Sequence, residues 1–243
     1  MHQPRLKDLE NYSSAQSENV ANLRTCSKIV ALEKHEVSVL LEGVRDHFLF
    51  PIVYVALATG ARRDEILALR WSDIDFEKGL VRIDRAIEET QAHGVKFNPQ
   101  KTESSRRLIG VDADVISTLR KHRAYQLEEH LKLGTRLPPD ALVFPQSALA
   151  PATPMATFRV SKRFSDLAKR IGFPKLRFHD LRHTHATLLL TEGVPVNAVA
   201  ARLARSKAST TINCYGHALK RAEEQAASVA GSILRDAMNS RPK

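Results

Sequence analysis

The residues between positions 179 and 215 include side chains that together can attack and stabilise a phosphodiester. The stretch HDLRHTHATLLL begins at His179, and Arg182 follows three residues later. Residues three apart share one helix face, so this spacing places an imidazole beside a guanidinium. Tyr215 follows in the stretch STTINCYGH, whose polar character predicts that the tyrosine is not deeply buried. These residues provide an oxygen nucleophile, a proton acceptor and a bidentate donor for phosphate oxygens.

Length, composition and charge narrow the classes of function. The chain has 243 residues, enough for one large domain, and its 43% hydrophobic and 26% charged content is typical of globular proteins. A formal net charge of +10 favours a polyanionic partner. Two cysteines, Cys26 and Cys214, cannot form a disulfide framework, and no apolar run approaches the length of a membrane span. We expect a cytoplasmic protein that binds nucleic acid and no membrane.

The elements that must position these residues are mainly helical. Apolar residues recur at helical spacing over most of the chain, and Gly60 ends the most apolar stretch. Helices are predicted from Glu33, over FLFPIVYVALATG, over ARRDEILALRW, over 114–133, over 158–171, after residue 179, over VPVNAVAARLA and over about 219–238.

The middle of the chain has the alternation of strands. LVRIDRAI (80–87), GVKFN (94–98) and RRLIGV (106–111) predict a small antiparallel sheet, with NPQKTESS as its exposed tip. The predicted fold class is therefore α+β, a mainly helical domain with a small three-stranded antiparallel sheet. Residues 1–31 are polar and poorly patterned, which indicates a linker or tail.

Four stretches, in order, resemble the sequence boxes of the tyrosine recombinases, or phage-type integrases. ATGARRDEILALRWSDID is similar to the family's first arginine box, QKTESSRR to its hairpin lysine, HDLRHTHAT to its His-x-x-Arg box, and the stretch ending at Tyr215 to its terminal tyrosine box. The resemblance runs from about Glu33 to His217. It implies catalytic roles for the matched residues Arg62, Lys101, His179, Arg182 and Tyr215.

One position departs from the family pattern. Ten residues before the tyrosine, where the family has a Gly-His pair, the chain has Ala204 and Arg205. Arginine can also donate to a phosphate, but from a longer side chain, and a misplacement of about 1 Å can cost about a hundredfold in rate. We include Arg205 among the predicted catalytic residues and expect slow cleavage.

The resemblance also implies a mechanism of DNA strand cleavage and rejoining. Arg62 and Arg182 would stabilise charge on the non-bridging oxygens, and His179 would accept the proton of Tyr215. Lys101 would protonate the leaving 5′ oxygen. The 3′-phosphotyrosyl bond would retain the energy of the phosphodiester, so rejoining would need no ATP. We expect no metal and no other cofactor, because the arginines and the lysine supply the charge.

The family's organisation implies three parts. Residues 1–31 would be the linker that remains of a missing N-terminal core-binding domain, 32–217 the catalytic domain, and 218–243 a C-terminal helix that docks on a neighbouring subunit. The expected partners are double-stranded DNA and further copies of the chain, as a tetramer on paired sites. The docking helix would use a thin apolar stripe that comprises Leu219, Ala222, Ala226, Val229 and Ile233.

Alternatives stay open for both residues and function. Arg63 rivals Arg62, and Lys101 could be a solvated turn residue. His179 and His183 have the i, i+4 spacing of a metal pair, but no third ligand is evident, which favours a buried, hydrogen-bonded His183. The chain could also be a DNA-binding regulator on the same fold with catalysis weakened at Arg205, or a type IB topoisomerase that acts as a monomer.

Overall fold

The computed structural model describes residues 30–90, 94–99, 106–204, 215, 227–236 and 238. Two helices begin this part of the chain. Helix α1 (Lys34–Val44) starts with a capping interaction, in which the backbone N–H of Glu33 donates to the Glu36 carboxylate at 2.8 Å. Helix α2 (Phe50–Thr59) ends at Gly60, which adopts the left-handed conformation at φ 62°.

The remaining elements alternate between short strands and helices. They are α3 (Arg63–Leu67), a 3-10 turn (Trp71–Asp73), β1 (Ile74–Asp75), β2 (Leu80–Ile83), β3 (Arg85–Thr90), β4 (Gly94–Pro99), β5 (Arg107–Gly110), α4 (Ala113–Lys132), β6 (Pro145–Ser147), β7 (Ala150–Pro154), α5 (Thr157–Ile171), α6 (Asp180–Thr191) and α7 (Val196–Arg202). Residues 227–236 are also helical. The predicted helices are present wherever the chain is described, except that the one predicted over ARRDEILALRW is shorter and spans only Arg63–Leu67. The predicted α+β fold class is confirmed.

The three-stranded antiparallel sheet is present, but its strands differ from those predicted. Its order is β1-β2-β5, while β3 and β4 form a separate hairpin. The predicted strand 80–87 is divided at Asp84, so its two halves belong to different sheets. The edge strand β1 has two residues, too few to show an alternating pattern.

A second hairpin, β6–β7, lies in a stretch for which the sequence predicted no strand. Pro145 and Pro154 pair with each other across this hairpin. Proline lacks a backbone N–H and is confined to edges or ends of strands. Because β6 and β7 contain Pro145, Pro151 and Pro154, their sequence did not indicate strands.

The core has a large and a small part. The large part joins α1, α2, α5 and the three-stranded sheet through buried side chains that include Leu40, Ile52, Val81, Ile109 and Phe164. The small part lies between α6 and α7 and comprises Ala186, Leu190, Val199, Leu203 and Tyr215. The expectation that Tyr215 is not deeply buried is therefore wrong, because packing on α6 and α7 covers it despite its polar neighbours in the sequence.

The end of α7 has an unusual backbone conformation. Ala204 has φ 49°, and it is the non-glycine residue with positive φ in the described part of the chain. A Cβ in this region crowds the following carbonyl oxygen, which costs about 1–2 kcal/mol. The family's glycine, which Ala204 replaces, would adopt this conformation without that cost.

We expect Ala204→Gly to raise the free energy of unfolding by about 1 kcal/mol, because it removes the Cβ strain while adding some unfolded-state entropy. Denaturant titration measures the change. Ala198→Gly, at an exposed position inside α7, is the matched control and should lower stability by about 1 kcal/mol. Destabilisation of similar size in both variants would contradict the account of Ala204.

Helices α2 and α6 pack closely near Gly60 and His185. A Cβ at Gly60 would lie 2.9 Å from a Leu203 methyl and clash with the His185 ring. The His185 Nδ1 donates to the Leu57 carbonyl at 2.7 Å, and burial lowers the pKa of His185 to about 4. The Leu57 carbonyl opposes this shift of the pKa, while the charges of Arg202 and Arg182 add to it.

The lowered pKa of His185 predicts a loss of stability at acid pH. The unfolded chain binds the proton near pH 6.5 and the folded chain only near pH 4, so stability is complete above 6.5 and falls as pH decreases towards 4. The loss should approach about 3 kcal/mol. Burial also lowers the pKa of His122 and His179, so these residues add to the loss of stability at acid pH. The difference between the unaltered protein and His185→Asn gives the contribution of His185. Parallel curves of unfolding free energy against pH for the two proteins would contradict the prediction.

Candidate active site

Arg62 lies immediately before α3, where the buried Glu65 fixes its backbone and its side chain. The Arg62 backbone N–H donates to Glu65 Oε2 at 2.7 Å, and its Nη1 donates to Glu65 Oε1 at 3.0 Å. The Arg62 side chain is 45% exposed, whereas that of Glu65 is 1% exposed. The backbone of Arg62 is thus fixed by Glu65, while part of its guanidinium remains accessible to solvent.

Glu65 binds a second arginine from the three-stranded sheet. Arg107 donates to both carboxylate oxygens, at 2.8 and 3.2 Å, and its Nε donates to the Arg202 carbonyl at 2.7 Å. Burial by itself would raise the pKa of Glu65, but the hydrogen bonds and charges of Arg107 and Arg62 hold it below its usual value. The carboxylate is therefore ionised at neutral pH and orients Arg62.

Arg63, the rival of Arg62, has different partners. Its Nε donates to Asp64 at 2.7 Å, and its Nη1 donates to Ser161 on α5, also at 2.7 Å. The structure thus links Arg62 to Glu65 and links Arg63 to α5. The catalytic assignment of Arg62 stays a prediction.

His179 and Arg182 lie at the beginning of α6, as the spacing predicted. His179 immediately precedes the helix, and Arg182 lies in its first turn and is buried. Arg182 Nη1 donates to the Gly60 carbonyl at 2.6 Å, and its Nη2 donates to the Leu203 carbonyl. The guanidinium therefore joins α6 to the ends of α2 and α7.

The charges around His179 show that the predicted residues share one region. Burial lowers the pKa of His179, and the positive charge of Arg182 lowers it further. Arg177 and Arg62 act in the same direction, while Asp180 opposes them. His179 is therefore neutral at physiological pH, a state in which its ring can accept a proton or donate one hydrogen bond.

Tyr215 contacts this region through His183. The Tyr215 hydroxyl lies 2.9 Å from His183 Nδ1, and the His183 ring packs edge-on against His179 with centroids 5.1 Å apart. The prediction of a buried, hydrogen-bonded His183 is confirmed, but sequence reasoning missed its partner. The sequence did show that His183 lies four residues after His179, a spacing that places the two imidazole rings on one helix face and so puts His183 near the predicted site.

The two other predicted site residues, Lys101 and Arg205, lie outside the described residues. Their catalytic assignments stay predictions. Among the residues that the structure does describe, no group of three or more His, Cys, Asp or Glu side chains is arranged to hold a metal ion. Over the same ranges, no helix combines the length and apolarity needed to cross a membrane.

The chain is similar to proteins named as a recombinase and as an integrase. The chain is 29% identical over 216 residues to a "Tyrosine recombinase XerC-like" of Caldanaerobacter subterraneus subsp. tengcongensis, covering 86% of this chain and 55% of that protein. It is 31% identical over 193 residues to the ICEBs1 integrase of Bacillus subtilis, and the match covers 78% of this chain and 50% of that protein. The chain thus spans about half the length of these relatives.

A solved structure and a family profile extend the comparison. The Tn1549 transposon integrase, in complex with transposon right end DNA, superimposes with a TM-score of 0.66 at 20% identity over 83% of this chain and 66% of that one, which shows a common fold. The profile of the phage integrase family matches residues 31–222, and the chain therefore belongs to the phage integrase family.

Proposed function

We propose that this chain is the catalytic part of a site-specific DNA recombinase that cleaves a strand with Tyr215 and rejoins it. The observation that carries this proposal is the contiguous set of Tyr215, His183 and His179 beside the charges of Arg62 and Arg182. Such a set combines a nucleophile, titratable rings and cations within one region. The relatives named as a recombinase and as integrases support the same reaction.

The two arginines are proposed to stabilise the non-bridging oxygens of the scissile phosphate. Arg62 is half-exposed and fixed at its base by Glu65, which suits an approach to a ligand from solvent. Arg182 is buried, so its charge acts in surroundings that screen it less than water does.

The other predicted roles complete the reaction. Tyr215 would attack phosphorus and form a 3′-phosphotyrosyl bond, with His179 as the predicted proton acceptor. Lys101 would protonate the leaving 5′ oxygen, and Arg205 would donate to the phosphate in place of the family's histidine. No bond energy is lost in the phosphotyrosyl intermediate, so the 5′ hydroxyl can reverse the reaction.

A basic cleft supports double-stranded DNA as the substrate. Its lining has three arginines and one carboxylate, Arg70, Arg85, Arg106 and Asp84, together with Phe97, Asn98 and Pro99 of β4. The Arg70 guanidinium lies 5.7 Å from the centre of the Phe97 ring, which holds its charge near the cleft. This strand ends two residues before Lys101, the predicted general acid, in the sequence.

We further propose the domain organisation that the resemblance implies, with a linker at 1–31, a catalytic domain at 32–217 and a docking helix at 218–243. Residues 227–236 are helical, and Val229 and Ile233 of the predicted stripe are 52% and 61% exposed. The other members of the stripe lie outside the described residues. Apolar side chains exposed at helical spacing suit a groove on a second subunit, as in a tetramer on paired sites.

A regulator with weakened catalysis is the second candidate. The observation that favours it is the strained backbone of Ala204, immediately before Arg205. Ala204 stands where the resemblance implies a glycine, which would adopt the same conformation without strain. This candidate would bind DNA with unaltered affinity and would form little or no covalent adduct.

The recombinase proposal predicts a covalent adduct at Tyr215. The full chain, incubated with labelled nicked duplexes enriched from a random pool by adduct capture, should give a protease-sensitive protein–DNA species. Tyr215→Phe should abolish it while DNA binding is retained, because only the nucleophilic oxygen is removed. Tyr54→Phe, at a partly buried tyrosine of α2, is the control. An adduct that persists in Tyr215→Phe, or none from the unaltered chain, would refute the proposal.

The assembly proposal predicts a separate effect of the C-terminal stripe. Val229→Glu with Ile233→Glu should prevent association of subunits on DNA, because each charge would have to enter an apolar groove. Sedimentation of the DNA complex measures the association. Single-site adduct formation and thermal stability should not change, since both side chains are exposed in the single chain. A large loss of stability would show that this helix belongs to the core of its own subunit.

A further inference from the structure

His183 contacts the hydroxyl group that the proposed function makes the nucleophile. Its Nδ1 lies 2.9 Å from the Tyr215 oxygen, within the range of an ordinary hydrogen bond, and the two ring centroids are 5.8 Å apart. His183 is 8% exposed and Tyr215 is 3% exposed. Water therefore has little access to the phenol, and a ring nitrogen is positioned on it instead.

The contact is of the kind that proton transfer requires. A neutral imidazole with its hydrogen on Nε2 has an acceptor at Nδ1, and in that tautomer, which the proposal below requires, the Tyr215 hydroxyl donates to His183. A general base must lie within hydrogen-bond reach of the proton that it takes, and His183 meets this condition in the resting protein. The nucleophile thus has an acceptor in place before DNA binds.

The two neighbouring histidines have different surroundings. His179 experiences the charges of Arg182 and Arg62, the guanidiniums predicted to bind the phosphate. The His183 ring packs against both His179 and the phenol, with centroid distances of 5.1 Å to His179 and 5.8 Å to Tyr215. This arrangement places His179 on the side of the phosphate ligands and His183 on the side of the nucleophile.

We propose that His183, in place of the His179 that the resemblance implies, accepts the proton of Tyr215 during strand cleavage and returns it during rejoining, an inference that rests on the proposed function. The phenol O–H bond breaks as Nδ1 takes the proton, and the phenolate oxygen bonds to phosphorus. The bond from phosphorus to the 5′ oxygen then breaks, and that oxygen takes a proton from the general acid predicted at Lys101. Rejoining reverses each transfer, so the imidazolium of His183 reprotonates the departing tyrosine.

The test separates proton transfer from positioning by means of His183→Asn. The asparagine amide oxygen can accept the hydrogen bond near the position of Nδ1, but it cannot take the proton. We expect single-turnover adduct formation at pH 7 to fall about a hundredfold or more, with DNA binding retained. The deficit should narrow between about pH 7 and 9.5, because hydroxide can remove a phenol proton whose ordinary pKa is about 10. Among the described residues, the titratable groups packed on His183 are His179 and Tyr215. Because their titration can also change the rate, adduct formation by the unaltered chain is measured over the same pH range.

His185→Asn is the matched control. His185 lies two residues further along α6, is equally buried, and has the Leu57 carbonyl as the described partner of its Nδ1. Its asparagine variant should keep the wild-type adduct rate. A wild-type rate in His183→Asn, an equal loss in both variants, or a deficit that does not narrow with pH would overturn the proposal. A wild-type chain that forms no adduct would instead refute the proposed function.

A measurement on the unaltered chain keeps the proposal testable if His183→Asn does not fold. Nitrogen-15 NMR of the histidine rings distinguishes a protonated from an unprotonated ring nitrogen. The proposal requires His183 Nδ1 to be unprotonated at neutral pH, with the hydrogen on Nε2. A hydrogen on Nδ1 would make the tyrosine oxygen the acceptor of this bond and would overturn the proposal.

Discussion

The buried guanidinium of Arg182 holds together three segments that are far apart in the sequence. It donates from the first turn of α6 to the carbonyl at the end of α2 and to the carbonyl at the end of α7. A buried carbonyl without a donor costs about 1–3 kcal/mol, and a buried charge without partners costs more. The positions of Gly60 and Leu203 are therefore determined together with that of the arginine. The close packing of Gly60 on His185 depends on the same arrangement.

Glu65 has the complementary role on the other side of the site. It is a buried anion between two cations, and it fixes a residue that solvent reaches, whereas Arg182 is a buried cation fixed by backbone oxygens. Two buried charges of opposite sign thus orient the region where the phosphate is proposed to bind. Orientation before binding lowers the entropic cost of reaching the reactive geometry. This explains why elements without a catalytic residue, such as β5, contribute to the site through Arg107.

Much of the fold follows from local sequence. Apolar residues at helical spacing predicted α1, α2, α4 and α5, and Gly60 marked the end of α2, because these signals act within a few residues. The sheet was harder, since a two-residue strand carries no periodicity and the direction of the chain changes at Asp84. In the site, the pairing of His179 with Arg182 was visible as a spacing. The contact of His183 with Tyr215 joins residues 32 positions apart, so no local spacing indicates it. The burial of Tyr215 depends on tertiary packing against α6 and α7, which the polar neighbours of Tyr215 in the sequence do not reveal.

The hydrogen bonds of Arg107 have a consequence for the layout of the site. This side chain lies on β5, binds the carboxylate of α3 and donates to the last carbonyl of α7. Strand β5 directly follows the segment that contains Lys101, and α7 directly precedes the segment that leads to Tyr215. One side chain therefore links two elements that border these segments in the sequence, and through Glu65 it is also linked to Arg62.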